Sequence, residues 1–152
     1  MDKELIKNVM ARYEVPRTTK KMYEDYDRLA GDRLVPIPED KNLEELLAWT
    51  GDWLARDYAL VGWWLGKNGA TLIVRHVVPK AIRAAFAPYK EYKPPLPSYL
   101  TTQPLGQDLA GVPEEELPSK VEHLERVYTT LYGRILGWMD DWGTPAFVVE
   151  RL

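Results

Sequence analysis

Apolar residues recur at heptad spacing in the C-terminal part of the chain, from Leu117 to Trp142. They are separated by alternating gaps of four and three residues and comprise Leu117, Val121, Leu124, Tyr128, Leu131, Ile135, Trp138 and Trp142. A helix with one apolar seam must bury that seam against other helices. The spacing therefore predicts a long helix that closes a helical bundle.

Two further segments have apolar residues at helical spacing. Asn42, with Glu45 in the capping-box position, begins a predicted central helix whose broad apolar stripe runs from Leu43 to Leu65. Residues 70–89 predict another helix, kinked at Pro79. The β-branched run at residues 71–74 also fits a strand, but no strand partner is evident nearby, which favours the helix. The tail, residues 144–152, is predicted to be extended and to dock its apolar side chains.

The N-terminal residues predict a helix-turn-helix arm. A short amphipathic helix covers residues 2–14, Pro16 interrupts it, and a second helix starts at Thr18 or Thr19 and runs to about Ala30. Pro36 lies in an extended linker. The expected fold is all-α: a basic arm (residues 1–33), a linker (34–41), and a bundle of about three to four helices (42–152).

Composition excludes several classes of protein. The chain has no cysteine, so disulfides and thiolate chemistry are absent. No apolar run reaches the roughly 18 residues of a membrane span, and the N-terminal residues do not resemble a secretory signal. We therefore expect a soluble intracellular product without a membrane span. Few amides, 12 prolines and 28% charged residues are typical of hyperthermophile proteins.

Catalytic and metal-binding patterns are weak. His76 and His123 lack nearby ligand partners at helical spacing, and the adjacent Asp140 and Asp141 predict a polar surface better than a carboxylate pair. No phosphate-binding glycine loop or nucleophile motif occurs. We predict a protein that is not an enzyme, with no catalytic residue, metal site or cofactor.

Basic residues are concentrated in two segments of the chain, residues 7–21 and residues 67–93. Within residues 7–21, five Lys or Arg accompany a single acidic residue, Glu14. Thr18 and Thr19 add two hydroxyls and a predicted helix N-terminus beside these cations, a combination that suits phosphate oxygens. The predicted nucleic-acid-binding residues are Lys7, Arg12, Arg17, Thr18, Thr19, Lys20, Lys21, Arg75, Lys80 and Arg83. Such contacts are to the backbone and strongly salt-dependent; the alternative is a solvated basic surface.

A basic arm with a proline corner, a linker and an aromatic-rich bundle from Asn42 onward resembles the coat proteins of filamentous archaeal viruses, the rudivirus, lipothrixvirus and tristromavirus group. The resemblance implies a non-enzymatic capsid subunit that packages double-stranded DNA in a helical filament, with other coat subunits as homo- or heterodimer partners. It also implies location in the virion, and in the host cytoplasm during assembly. In those coat proteins the arm helices line the DNA channel. Acidic residues in the second arm helix of this chain, such as Glu24 and Asp25, depart from a uniformly basic lining of such a channel. The alternative is a small helical adaptor or regulator that binds protein partners.

Overall fold

Two β-sheets, of three and four strands, organise the fold. The all-α prediction is therefore wrong, and the chain is of the mixed α and β class. The computed structural model describes residues 2–152, and the chain divides into two compact units, Met1–His76 and Val77–Leu152. The predicted arm and linker lie within the first unit, and the predicted bundle is divided between the two.

The first unit contains an antiparallel sheet in the order β1-β3-β2. Leu34 of β1 pairs with Ile73 of β3, and Trp63 of β2 pairs with Leu72 of β3. The elements are α1 (Lys3–Arg12), α2 (Lys20–Met22) with a following π-helical turn (Tyr23–Asp27), β1 (Arg33–Pro36), α3 (Leu43–Ala55), β2 (Tyr58–Gly66) and β3 (Gly69–His76).

Both faces of this sheet are covered. On one face, buried side chains of α1 and α3 pack with Trp63, Leu72 and Val74. On the other face, Tyr23 of the π-helical turn packs against Trp64 and Ile73, with the Tyr23 and Trp64 ring centroids 5.9 Å apart. Burial of both faces explains why the strand sequences are continuously apolar and do not alternate.

The predicted central helix is correct at its start and wrong at its end. Asn42 and Glu45 form the predicted capping box. The helix stops at Ala55, and Asp57 has a positive φ of 63° that ends the helical path. Residues 58–66 then form β2, which pairs with β3 across the turn at Lys67 and Asn68.

Other helix predictions are corrected in the same way. Residues 69–76 form β3, so the helix predicted for residues 70–89 is reduced to α4 (Lys80–Ala85), which begins after Pro79. The second arm helix ends at Asp27 and not at Ala30, and its last five residues form the π-helical turn. Residues 34–36 of the predicted linker belong to β1.

The second unit contains a mixed sheet in the order β4-β6-β7-β5, in which only the β4–β6 pair is parallel. The extended tail predicted for residues 144–152 is confirmed, because residues 144–150 form a strand. After α4, the elements are β4 (Glu91–Tyr92), β5 (Leu100–Pro104), α5 (Gly106–Leu109), a 3-10 turn (Glu114–Glu116), α6 (Leu117–Tyr132), β6 (Gly137–Asp141) and β7 (Thr144–Glu150).

The heptad helix is shorter than predicted. It ends at Tyr132, because Gly133 has a positive φ of 89°. Leu117, Val121 and Leu124 are buried in the core of the second unit. Trp138 lies in β6 and stacks on Phe86, with ring centroids 4.7 Å apart. The apolar heptad seam is thus helical only in its first part.

No helix within residues 2–152 is long and apolar enough to cross a membrane.

A candidate nucleic-acid interface

The basic corner, the segment around Pro16, follows a well-defined end of helix α1. The backbone N–H of Val15 donates to the carbonyl of Met10 at 2.9 Å, and that of Glu14 donates to Ala11 at 3.0 Å. This is a Schellman arrangement, in which the residue at the position of Glu14 adopts the left-handed conformation. Glu14 accordingly has a φ of 54°, and the next side chain, Val15, is buried. The cap fixes the direction in which the chain leaves α1.

The corner is then hydrogen-bonded to the outer edge of β2. The N–H of Trp63 donates to the carbonyl of Pro16 at 3.0 Å, and the N–H of Thr18 donates to the carbonyl of Trp63 at 2.8 Å. Gly62 permits this approach, because a Cβ there would lie 3.3 Å from the Pro16 oxygen. The backbone of residues 16–18 is therefore held by the sheet and does not form a free loop.

Four cations are displayed along this segment: Arg12, Arg17, Lys20 and Lys21. All four are exposed, and none has a carboxylate within 4.0 Å among residues 2–152. The Arg17 guanidinium lies over the ring of Trp63, with its carbon 5.1 Å from the centroid, which orients it without neutralising it. Four positive charges thus remain available to an anion.

The two predicted threonines lie between these cations. The Thr19 hydroxyl accepts a hydrogen bond from the N–H of Met22 at 3.1 Å and so caps α2, while its own hydrogen remains free to donate. Thr18 is half-buried. Lys7 is on the preceding helix and forms an exposed ion pair with Glu4 at 3.4 Å, a contact that is readily exchanged for a phosphate.

Arg75 is committed to a buried carboxylate in the same unit. Its Nε and Nη2 donate to the two oxygens of Asp32 at 2.7 and 2.9 Å, and Asp32 is 2% exposed. Asp32 also accepts from the Tyr23 hydroxyl at 2.5 Å and the Leu29 N–H at 3.1 Å. This arrangement holds the strand β3 and the π-helical turn together, so Arg75 does not contribute a free charge.

The protonation states of this cluster are fixed by its geometry. Burial disfavours the charged form of Asp32, but the hydrogen bonds from Arg75, Tyr23 and Leu29 outweigh burial and hold its pKa below the usual value. The pKa of Arg75 is raised, chiefly by its hydrogen bonds to Asp32. Burial, together with the bond to Asp32, raises the pKa of Tyr23. The cluster is therefore an ion pair with a neutral phenol.

The last two predicted residues belong to the second unit. Arg83 donates to Glu91 at 2.9 Å and to Asp140 at 2.8 Å. Lys80 is exposed and has no ion pair within the described residues 2–152. Of the ten predicted residues, the structure thus gathers Arg12, Arg17, Thr18, Thr19, Lys20 and Lys21 on one continuous segment, and it places Arg75 and Arg83 in internal ion pairs.

Sequence reasoning did not identify the partners that decide these roles. Trp63 anchors and orients Arg17, and Asp32 and Asp140 neutralise Arg75 and Arg83. Asp140 also accepts from the backbone N–H of Val78 and of Gly143, so it organises local structure. The part of the chain described, residues 2–152, has no cluster of three or more His, Asp or Glu side chains that could hold a metal ion.

We predict that Glu14→Gly stabilises the protein by about 1 kcal/mol, because glycine adopts a positive φ without the steric cost that glutamate has. The substitution also removes the one acidic side chain among the four cations, so affinity for duplex DNA should rise. Chemical denaturation and a DNA titration measure the two effects. Glu4→Gly, inside α1, is the control and should be destabilising. A loss of stability in Glu14→Gly would contradict the helix-cap assignment.

No protein-family model matches the chain, and no curated protein or solved structure is significantly similar to it.

Proposed function

We propose that the protein is a non-enzymatic DNA-packaging protein that binds double-stranded DNA through its phosphates, independently of base sequence. The observation that carries the proposal is the set of four exposed, unpaired cations at Arg12, Arg17, Lys20 and Lys21, on a segment hydrogen-bonded to β2. A rigid backbone that presents several cations is suited to repeated phosphate oxygens, because little backbone freedom remains to be lost on binding.

The acidic residues that follow limit this surface. Glu24, Asp25 and Asp27 are exposed on the π-helical turn, which is separated from Lys20 and Lys21 only by Met22. They repel phosphate, so the proposed interface covers residues 12–21 and ends before Tyr23. We also expect no base-reading contact, since no long helix in this segment projects polar side chains toward a major groove.

The proposal rests on charge and not on fold. The resemblance to filamentous archaeal virus coat proteins depended on a helical bundle from Asn42 onward, and that bundle is replaced by two sheets.

Assembly of the DNA complex into a helical filament remains part of the proposal, and negative-stain electron microscopy of the complex tests it. Discrete particles without filaments would contradict the proposed assembly into a filament.

Fluorescence anisotropy with two labelled 30-base-pair duplexes of unrelated sequence tests the binding itself. We expect dissociation constants that agree within about threefold, in the roughly 1–100 μM range of non-specific complexes at physiological salt. A preference of 100-fold for one duplex, or no binding to either, would contradict the proposal.

One observation favours a second candidate function, an adaptor that binds a protein partner. Val127 and Leu131 lie one helical turn apart on α6, and they are 38% and 63% exposed. An apolar pair of this kind is a common element of helix-mediated contacts. Charge reversal at Arg17, Lys20 and Lys21 distinguishes the candidates, because it should abolish DNA binding and leave binding of such a partner unchanged.

A further inference from the structure

Trp142 occupies a backbone position to which it is poorly suited. It forms, with Gly143, the two-residue turn between β6 and β7, in which Asp141 pairs with Thr144. The φ angles of Trp142 and Gly143 are 50° and 88°. Positive φ at both positions defines a type I′ turn, which strongly prefers Asn-Gly. A bulky side chain at such a φ is a genuine outlier, and outliers of this kind cluster at functional sites.

The same side chain is 52% exposed, so packing within the unit does not account for its presence. The turn itself is held firmly, because Asp140 accepts from the N–H of Gly143 at 2.8 Å, the N–H of Val78 at 2.9 Å and Arg83 at 2.8 Å. The unit therefore presents a rigid hairpin tip that carries a large exposed aromatic ring.

The opposite end of the same hairpin carries an apolar groove of about 260 Å³. Its exposed surface is almost entirely carbon, and it is lined by Thr101, Gln103, Tyr132, Val149, Glu150 and Leu152. Thr101 pairs with Val149, near the end of β7 that is remote from the turn. At about 3.3 Å per residue, the length of β7 separates the turn from the groove by roughly 20 Å. Trp142 cannot reach the groove of its own chain.

One pair of charges beside the two surfaces is opposite in sign. Asp141 precedes the exposed ring, and Arg151 lies next to the groove residues Glu150 and Leu152. Neither Asp141 nor Arg151 has an oppositely charged partner within 4.0 Å among residues 2–152. The Arg151 guanidinium donates to the carbonyls of Ser98 and Leu100, and the exposed Glu150 lines the groove itself. The fit of tip and groove therefore rests on the apolar ring and the apolar groove and not on charge.

We propose that Trp142 of one copy of the chain inserts into the β5–β7 groove of a second copy. Because tip and groove lie at opposite ends of the sheet, the contact is head-to-tail and leaves a free tip and a free groove on each pair, so it propagates. One tryptophan buries about 200 Å², far less than the roughly 1,200 Å² of a stable interface. The contact is therefore weak in isolation, and association is expected only at high protein concentration. This proposal does not depend on DNA binding.

Sedimentation velocity of the full chain, without DNA, tests it with two variants. Trp142→Asn removes the tip and suits the turn, so it should melt about 4 °C higher than the wild type. Gln103→Lys places a charge in the groove on edge strand β5. We expect the average mass of the wild type to rise with concentration up to about 1 mM, and each variant alone to stay monomeric. An equimolar mixture should form a dimer and nothing larger, since one variant supplies the groove and the other supplies the tip.

Tyr26→Ser, which removes a 78% exposed aromatic side chain from the first unit, is the control and should associate like the wild type. A monomeric wild type at all concentrations would overturn the proposal, as would undiminished association of Trp142→Asn. A mixture that stays monomeric, or that forms long oligomers, would likewise contradict a head-to-tail contact between tip and groove.

Discussion

Replacement of Arg12, Arg17, Lys20 and Lys21 by glutamine is expected to lower the affinity for duplex DNA by about 10³-fold or more at about 50 mM salt. Each phosphate contact contributes close to 0.9 to the salt exponent, so four contacts together supply most of the affinity of a non-specific complex at low salt. All four side chains are exposed and outside the buried core, so the fold should tolerate the change. Anisotropy titration with a labelled duplex measures the loss.

The matched control removes four exposed or half-buried cations from the second unit, namely Lys90, Lys120, Arg126 and Arg134. Both variants lose four positive charges, so a general effect of net charge would weaken binding equally in the two. The control is expected to bind within about threefold to tenfold of the wild type, because screened charges outside the interface contribute little. Equal losses in the two variants would remove residues 12–21 from the site.

Asp32→Asn is expected to destabilise the first unit by about 2–4 kcal/mol. Asparagine retains the shape but not the charge, and it leaves the Arg75 guanidinium without its carboxylate. The cost is below that of a fully buried pair, because the Arg75 side chain is 25% exposed and gains some solvation. Chemical denaturation measures the loss. Asp52→Asn, which breaks the exposed Arg56–Asp52 pair, is the control and should cost less than about 0.5 kcal/mol.

The same cluster has a defined dependence on pH. Because the folded-state pKa of Asp32 is lowered, its contribution to stability is complete above the ordinary pKa of an aspartate, 3.8, and is lost as the pH falls through the folded-state value. The stability difference between wild type and Asp32→Asn should therefore be constant near neutral pH and shrink in acid below that point. A difference that grows as the pH falls would contradict the ion pair.

The sequence permitted prediction of those elements whose signals are local. Helix α1, the capping box at Asn42 and the buried part of the heptad seam are all decided by residues within a few positions of one another. The exposed cations at Arg17, Lys20 and Lys21 also followed from their charge and the neighbouring proline. These features required no knowledge of distant partners.

The sheets could not be predicted in this way. Residues 58–66 and 69–76 are apolar on both faces, so neither helical nor strand periodicity dominates, and each segment is the partner of the other. The segment Gly66-Lys67-Asn68-Gly69, which follows the stripe that predicts a helix as far as Leu65, closes a β-hairpin. The ion pairs of Arg75 and Arg83 likewise depend on carboxylates 43 and 57 residues away. No local pattern contains that information.

The most direct test of phosphate binding by residues 12–21 is a titration of the 152-residue chain with duplex DNA over a series of salt concentrations. Four phosphate contacts predict that the logarithm of the binding constant falls with the logarithm of salt with a slope of about −3 to −4. Affinity should then drop about 100-fold between about 50 and 200 mM salt. A slope near zero, or no binding at the lowest salt, would contradict phosphate binding by residues 12–21.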